Sequence, residues 1–164
     1  MYNRVGEAYS IAIKVTEFSQ TGVKMGNNIE NEAFTKRALL VEDNEINAEI
    51  ARLQLEDIGY EVEWVANGAR AVECFGDSEQ GYYRLILMDI MMPVMDGLEA
   101  IRIIRNLNRE DSKTIPIIAI TANAFPEDKE QSFSNGASCF IPKPYGKKQL
   151  QDIVKSFEEK YEVE

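Results

Sequence analysis

LILMD, residues 85–89 (Leu85 to Asp89), is a run of four large apolar side chains closed by a carboxylate. A strand covered on one face alternates apolar and polar residues, whereas a strand covered on both faces has no such need. Leu85 to Met88 therefore predicts a central strand of a parallel sheet, with Asp89 at its carboxyl end. In such sheets ligands bind beyond the carboxyl ends of the strands, near the point where strand order reverses.

Four further apolar runs read as strands: Ala38 to Val41, Val62 to Val65, Ile115 to Ile120 and Cys139 to Ile141. The stretches between them carry helical periodicity, and alternation of this kind predicts β-α units around a mostly parallel sheet. Leu150, Ile153, Val154, Phe157 and Tyr161 form one apolar stripe. Leu98, Ile101 and Ile104 form another. Ile46, Ile50 and Leu53 predict the buried face of the first helix, with Gly59 as its stop signal. Pro126 to Asn135 holds only Phe133 as a large apolar residue, so the fourth helix is expected to be the most weakly held. Before this region, Tyr9, Ile11, Ile13 and Val15 alternate like a strand, and residues 19–31 have the Gly, Asn, Ser and Thr content of a linker.

Composition narrows the function. Apolar residues make up 45% of the 164, enough for a packed core. Residues 1–36 carry four Lys/Arg and four Asp/Glu, while residues 37–164 carry 14 and 24, so the net charge of −10 lies wholly in the second part. Such a surface repels phosphodiester backbones, which argues against direct nucleic-acid binding and in favour of a cation as ligand. Histidine is absent, which excludes His-based triads, most zinc sites and an imidazole phosphodonor within this chain. Cys74 and Cys139 have no paired spacing and read as small buried hydrophobes. No run is long or apolar enough to span a bilayer, and the first residues lack the pattern of a signal peptide, so a cytoplasmic location without membrane contact by this segment is expected.

The residues that follow the apolar runs carry the chemistry. Glu42 and Asp43 follow the first, Asp89 the third, Thr121 the fourth and Lys143 the fifth. Taken singly, each has an ordinary reading as a turn, a cap or a surface residue; the shared placement at one sheet edge favours a site. Three carboxylates together repel one another unless a cation neutralises them, and oxygen ligands without His or Cys select a hard ion such as Mg2+. Lys143 adds a fixed positive charge and Thr121 a hydroxyl. This set matches phosphoryl transfer to a carboxylate nucleophile.

The segments VEDNEIN (Val41 to Asn47), LILMDIMMPVMDG (Leu85 to Gly97), ITANAF (Ile120 to Phe125) and CFIPKP (Cys139 to Pro144) resemble, in order and spacing, the four signature blocks of response-regulator receiver domains. The resemblance covers about residues 37–160. It implies an α/β, flavodoxin-like doubly wound fold: a five-stranded parallel sheet of order 2-1-3-4-5 with five helices, over a domain spanning residues 37–162. It makes Asp89 the phosphoacceptor and Glu42, Asp43, Asp89 and the backbone carbonyl of Met91 the ligands of Mg2+ or Mn2+. Thr121 and Lys143 become the phosphoryl-binding pair and Phe140 the aromatic switch, with Ala122 leaving access for the donor and Lys143–Pro144 cis. Met91 and Asn123 border the approach of the hydrolytic water and are expected to tune the lifetime of the phosphorylated state. Two departures from the family pattern are Glu42 where many members have Asp, and Phe140 where Tyr is commoner.

The wording of the first two blocks is most similar to the C-terminal receivers of hybrid sensor histidine kinases, and GEAYSIAIKV (Gly6 to Val15) resembles the last strand of a kinase ATP-binding domain, with an ordinary strand or tail as the alternative. The implied partner is a histidine kinase or histidine phosphotransfer protein, docking on the first helix at Ile46, Ala48 and Glu49. A dimer through the fourth helix, fifth strand and fifth helix is also open, and the parent chain can be membrane-anchored. In this reading the domain catalyses its own phosphoryl transfer and dephosphorylation within a kinase chain. The alternative is a stand-alone single-domain regulator acting by partner binding. A haloacid-dehalogenase-like phosphatase would need an acid two residues after Asp89, where Met91 stands. A flavin carrier is disfavoured because Glu42, Asp43 and Glu45 would repel the cofactor phosphate.

Overall fold

The computed structural model describes residues 36–122 and 125–161. Five strands, β1 (Lys36–Val41), β2 (Tyr60–Val65), β3 (Leu85–Asp89), β4 (Ile117–Thr121) and β5 (Cys139–Pro142), form one parallel sheet of order β2-β1-β3-β4-β5. The helices are α1 (Glu45–Glu56), α2 (Gly68–Asp77), α3 (Gly97–Asn106), α4 (Asp111–Thr114), α5 (Pro126–Ser134) and α6 (Lys147–Tyr161). Fold and strand order are as the sequence predicts, with one added helix of a single turn, α4. The strand at Tyr9 to Val15 and the linker after it lie outside the described residues.

The central strands β1, β3 and β4 feed side chains to both faces. Leu39, Val41, Ile86, Met88, Ile117 and Ala119 pack with Ala71 and Phe75 of α2 and Ala100, Ile101 and Ile104 of α3. Ala38, Leu40, Leu85, Leu87, Ile118 and Ile120 pack on the other face with Ala48, Ala51 and Leu55 of α1 and Leu150 and Val154 of α6. Burial on both sides explains why these runs do not alternate. Leu98, Ile101 and Ile104 of α3 and Leu150, Ile153, Val154 and Phe157 of α6 pack into the core, as their spacing predicts.

The stripe expected to bury α1 does not. Ile46, Ile50 and Leu53 are 72%, 52% and 50% exposed, and the face against the sheet is Ala48, Ala51 and Leu55. Two alanines let the helix lie close to the strands, and the larger residues are left on the outside. Asn44 caps α1, its side chain accepting from the N–H groups of Ile46 (3.0 Å) and Asn47 (3.1 Å). Gly59, at φ +91°, closes it in the left-handed conformation that glycine adopts without strain.

The fourth strand begins at Ile117 rather than Ile115, because Ile115 ends α4 with its N–H on the carbonyl of Asp111 (2.8 Å). The α4 turn is held by Arg109, whose guanidinium lies 4.2 Å from the ring centre of Phe75, pairs with Asp111 at 2.6 Å and donates to the carbonyls of Ser78 and Glu79. α5 buries only Ser132 and leaves Phe133 exposed, in keeping with its apolar-poor sequence. Cys74 and Cys139 are free thiols, half-buried rather than fully buried. No helix among the described residues is long and apolar enough to cross a membrane.

Candidate functional site

Asp89, the last residue of β3, is 5% exposed, and β3 delivers it between the ends of β1 and β4. Its Oδ1 accepts the N–H of Met91 at 3.0 Å, and its Oδ2 accepts Nζ of Lys143 at 2.7 Å. The same ammonium reaches Oε2 of Glu42 at 2.6 Å. Glu42 is buried, and its Oε1 accepts from the backbone N–H of Asn44 and the side-chain amide of Asn47, each at 3.3 Å. Two buried carboxylates thus share one lysine.

Asp43, exposed at the mouth, completes a group in which Glu42, Asp43 and Asp89 each place a carboxylate oxygen within 4.8 Å of the others. Against three carboxylates stands one ammonium, so the group remains two negative charges in excess. Burial pushes the Asp89 carboxyl above its ordinary range; the Lys143 hydrogen bond opposes that rise, and the neighbouring charge of Glu42 adds to it. Burial disfavours the Lys143 ammonium, but the hydrogen bonds it donates to Asp89 and Glu42 outweigh that and hold its pKa above the ordinary lysine value. Oxygen donors and an uncompensated negative charge fit a hard divalent cation.

Backbone pairing fixes the remaining parts. The N–H of Lys143 donates to the carbonyl of Thr121 at 2.7 Å, so the β5 end follows the β4 end, and Thr121 is buried beside it. Lys143–Pro144 is cis, as the sequence resemblance implies. Phe140 is half-buried and packs against the α2/α3 face of the core. Met91 lies 57% exposed at the rim, and Asn123 lies outside the described residues. The turn after Asp89 is pulled back by Gly97, whose N–H donates to the carbonyl of Ile90 at 2.9 Å; a Cβ on Gly97 would stand 2.2 Å from the carbonyl oxygen of Asp89.

Sequence reasoning missed three contributors. Asn47 and Asn44 brace Glu42, and Trp64, at the end of β2, donates its indole N–H to the carbonyl of Glu42 at 2.8 Å. Asn44 carries a local signal, since Asn before a helical stretch is a cap; Trp64 carries none, because its bond spans 22 residues. Beside the site a cleft of about 360 Å3 runs from Glu42 and Lys143 along Ile50 and Gln54 of α1 to Pro144 and Tyr145. Burial pushes the Tyr145 phenol up to about 12.

Residues 38–155 match the family model described as the response regulator receiver domain. The chain is 38% identical over 122 residues to hybrid signal transduction histidine kinase L of Dictyostelium discoideum, covering 74% of this chain and 7% of that protein. It is 36% identical over 119 residues to the sensor protein GacS of Pseudomonas syringae pv. syringae, covering 72% of this chain and 13% of that protein. The chain therefore spans only a small part of these relatives. Among solved structures, the receiver domain of a sensor histidine kinase from Pseudomonas aeruginosa, with a magnesium ion coordinated in its active-site cleft, is similar at a TM-score of 0.67 and 38% identity, covering 74% of this chain and 96% of that one.

Proposed function

Since the chain belongs to the response-regulator receiver family and has a place in a phosphorelay, we propose that Asp89 accepts a phosphoryl group from a phosphohistidine supplied in trans. The observation that carries this reading is the single ammonium of Lys143 held between Asp89 and Glu42, a cation already placed where phosphoryl charge must be met. A carboxylate oxygen of Asp89 attacks phosphorus, the phosphorus–nitrogen bond to the imidazole breaks, and the imidazole leaves with the bonding pair and takes up a proton. The product is an acyl phosphate on Asp89. Lys143 exchanges its carboxylate partner for a phosphoryl oxygen, and Thr121 beside it offers a hydroxyl to another.

Glu42, Asp43, Asp89 and the carbonyl of Met91 are the residues that would hold Mg2+ or Mn2+, which when bound offsets the negative charge of the carboxylates and the phosphoryl oxygens. Magnesium in the cleft of the similar Pseudomonas receiver supports the same ion here. Because the chain has no histidine, the donor is a separate histidine kinase domain or phosphotransfer protein. The exposed Ile46 and Glu49, with Ile50 on the cleft, are its docking face, and Ala48, which the sequence reading included, is buried and takes no part. The receiver comprises residues 37–162, preceded by a linker from an upstream kinase domain of a hybrid sensor kinase, with its location in the cytoplasm. A dimer would use α5, β5 and α6.

The reading is tested by incubating the chain with Mg2+ and either a phosphorylated histidine phosphotransfer protein or a small acyl phosphate. Intact mass should show one added phosphoryl group on the wild type and none on Asp89→Asn. Labelling of the variant at the wild-type rate overturns the assignment.

A further inference from the structure

Glu42 and Asp43 lie side by side, yet they are held in different ways. The Glu42 carboxylate takes three donors, from Lys143, Asn44 and Asn47. Among the described residues no hydrogen bond or ion pair holds the carboxylate of Asp43, which is exposed and faces two other carboxylates within 4.8 Å. Repulsion from these drives it outward. What opposes that displacement is the backbone, because the carbonyl of Glu42 belongs to the same rigid peptide plane as the N–H of Asp43.

That peptide is anchored by Trp64. The β1–β2 register places Trp64 opposite Leu40, two residues before Glu42, and the N–H of Glu42 continues the ladder to the carbonyl of Val65 at 3.1 Å. Beyond that bond the ladder between the strands ends. The indole N–H of Trp64 supplies the next link, reaching the Glu42 carbonyl at 2.8 Å. Trp64 continues the alternate row of Tyr60 and Val62, which pack into the core beneath α1, so the ring stands on a fixed base while 40% of its surface remains exposed.

We propose that Trp64 is a positioning residue for the cation site: its indole N–H fixes the Glu42–Asp43 peptide and so presets Asp43 for a divalent ion. The inference rests on the metal reading given above. Without the N–H the carbonyl can be hydrated from the open side of the ring, so folding loses little, but the Asp43 backbone must then be ordered when the ion binds. The cost is carried by affinity for the cation.

Trp64 is the chain's one tryptophan, so biosynthetic replacement by benzothienylalanine, in which sulfur stands for the indole N–H, alters a single position at nearly constant shape. Titration calorimetry with Mg2+ should show a dissociation constant weakened about three- to tenfold, the scale of one ordinary hydrogen bond. The metal-free melting temperature should stay within error of the wild type, and Trp64→Phe should weaken Mg2+ binding in the same way. In the wild type the single indole N–H resonance should shift on Mg2+ addition. An unchanged dissociation constant in the isosteric replacement overturns the proposal, as does a loss of affinity matched by a clear fall in metal-free melting temperature. A wild-type chain that binds no Mg2+ overturns the metal reading and this inference with it.

Discussion

Lys143 donates from Nζ to Oδ2 of Asp89 at 2.7 Å while the same ammonium serves Glu42, so without a cation Asp89 is a buried carboxylate with only a share of one counter-charge. Burial raises its pKa in the folded state. A raised folded value means that the folded form binds the proton more tightly than the unfolded chain. The stability from that proton is complete below the unfolded value of about 4 and is lost as pH rises through the folded value. Above that window ionised Asp89 is a net cost. Asp89→Asn removes it and leaves Lys143 paired with Glu42. In chelator at neutral pH the variant should therefore melt several degrees above the wild type, and the gap should close as pH falls towards 4. Saturating Mg2+ should raise the wild type more than the variant, by mass action. Calorimetric melting with and without the ion checks both signs.

Gly97 offers a steric test of the same loop. A Cβ there would meet the Asp89 carbonyl at 2.2 Å, a contact with backbone that cannot rotate away. Gly97→Ala should cost about 3 kcal/mol, the upper part of the range for overpacking, and should lower Mg2+ affinity because relief must come from shifting Asp89. Denaturant melts and Mg2+ titration of the variant measure the two effects. A variant of wild-type stability would mean that the loop has slack the geometry does not suggest.

The parts of this molecule that were legible in the sequence are those with a local signature. Leu85 to Met88 and Ala38 to Val41 announce strands because both faces are covered, and the polar residue after each announces the site. The α1 stripe misleads for a physical reason. Size and spacing in Ile46, Ile50 and Leu53 satisfy the rule for a buried face, but the rule does not know that Ala48, Ala51 and Leu55 allow a closer fit. The α4 turn was missed because Arg109 holds it through Phe75, Ser78 and Glu79, some thirty residues away. Trp64 was missed likewise: a side chain that serves a distant backbone atom leaves no periodicity. The cis bond is legible only through the resemblance, which is also the source of the roles expected of Phe140 and Met91.

The exposed face of α1 predicts a separation of two rates. Ile50 is half exposed and borders the cleft beside Lys143, so Ile50→Glu should change stability by no more than about 0.5 kcal/mol. Phosphoryl transfer from a histidine-bearing partner should slow about tenfold or more, the loss expected for an apolar anchor in a docking surface. Labelling by a small acyl phosphate, which needs no docking, should keep its rate. Stopped-flow or quench measurements with both donors decide the matter. Equal slowing of the two would place the damage in the site itself.

Met91 sets up the last test, on how long the acyl phosphate lasts. Its N–H donates to Oδ1 of Asp89 at 3.0 Å, so the backbone is tied to that carboxylate, while its side chain is 57% exposed at the rim. Hydrolysis needs a water held in line with phosphorus, and a thioether neither orients that water nor takes its proton. Asn123, the second residue expected to border the approach, can orient a water but cannot act as its base. The phosphorylated state should accordingly decay slowly. Met91→Asn puts a donor and an acceptor on the same anchored backbone without touching Glu42, Asp43 or Lys143. It should speed the loss of acyl phosphate about three- to tenfold, what one hydrogen bond gained in the transition state would yield. The Mg2+ affinity should stay unchanged, because any metal contact at this position is through the backbone. Decay followed by intact mass after removal of the donor gives the rate directly. A variant that decays at the wild-type rate or more slowly would show that water at this rim is not what limits hydrolysis.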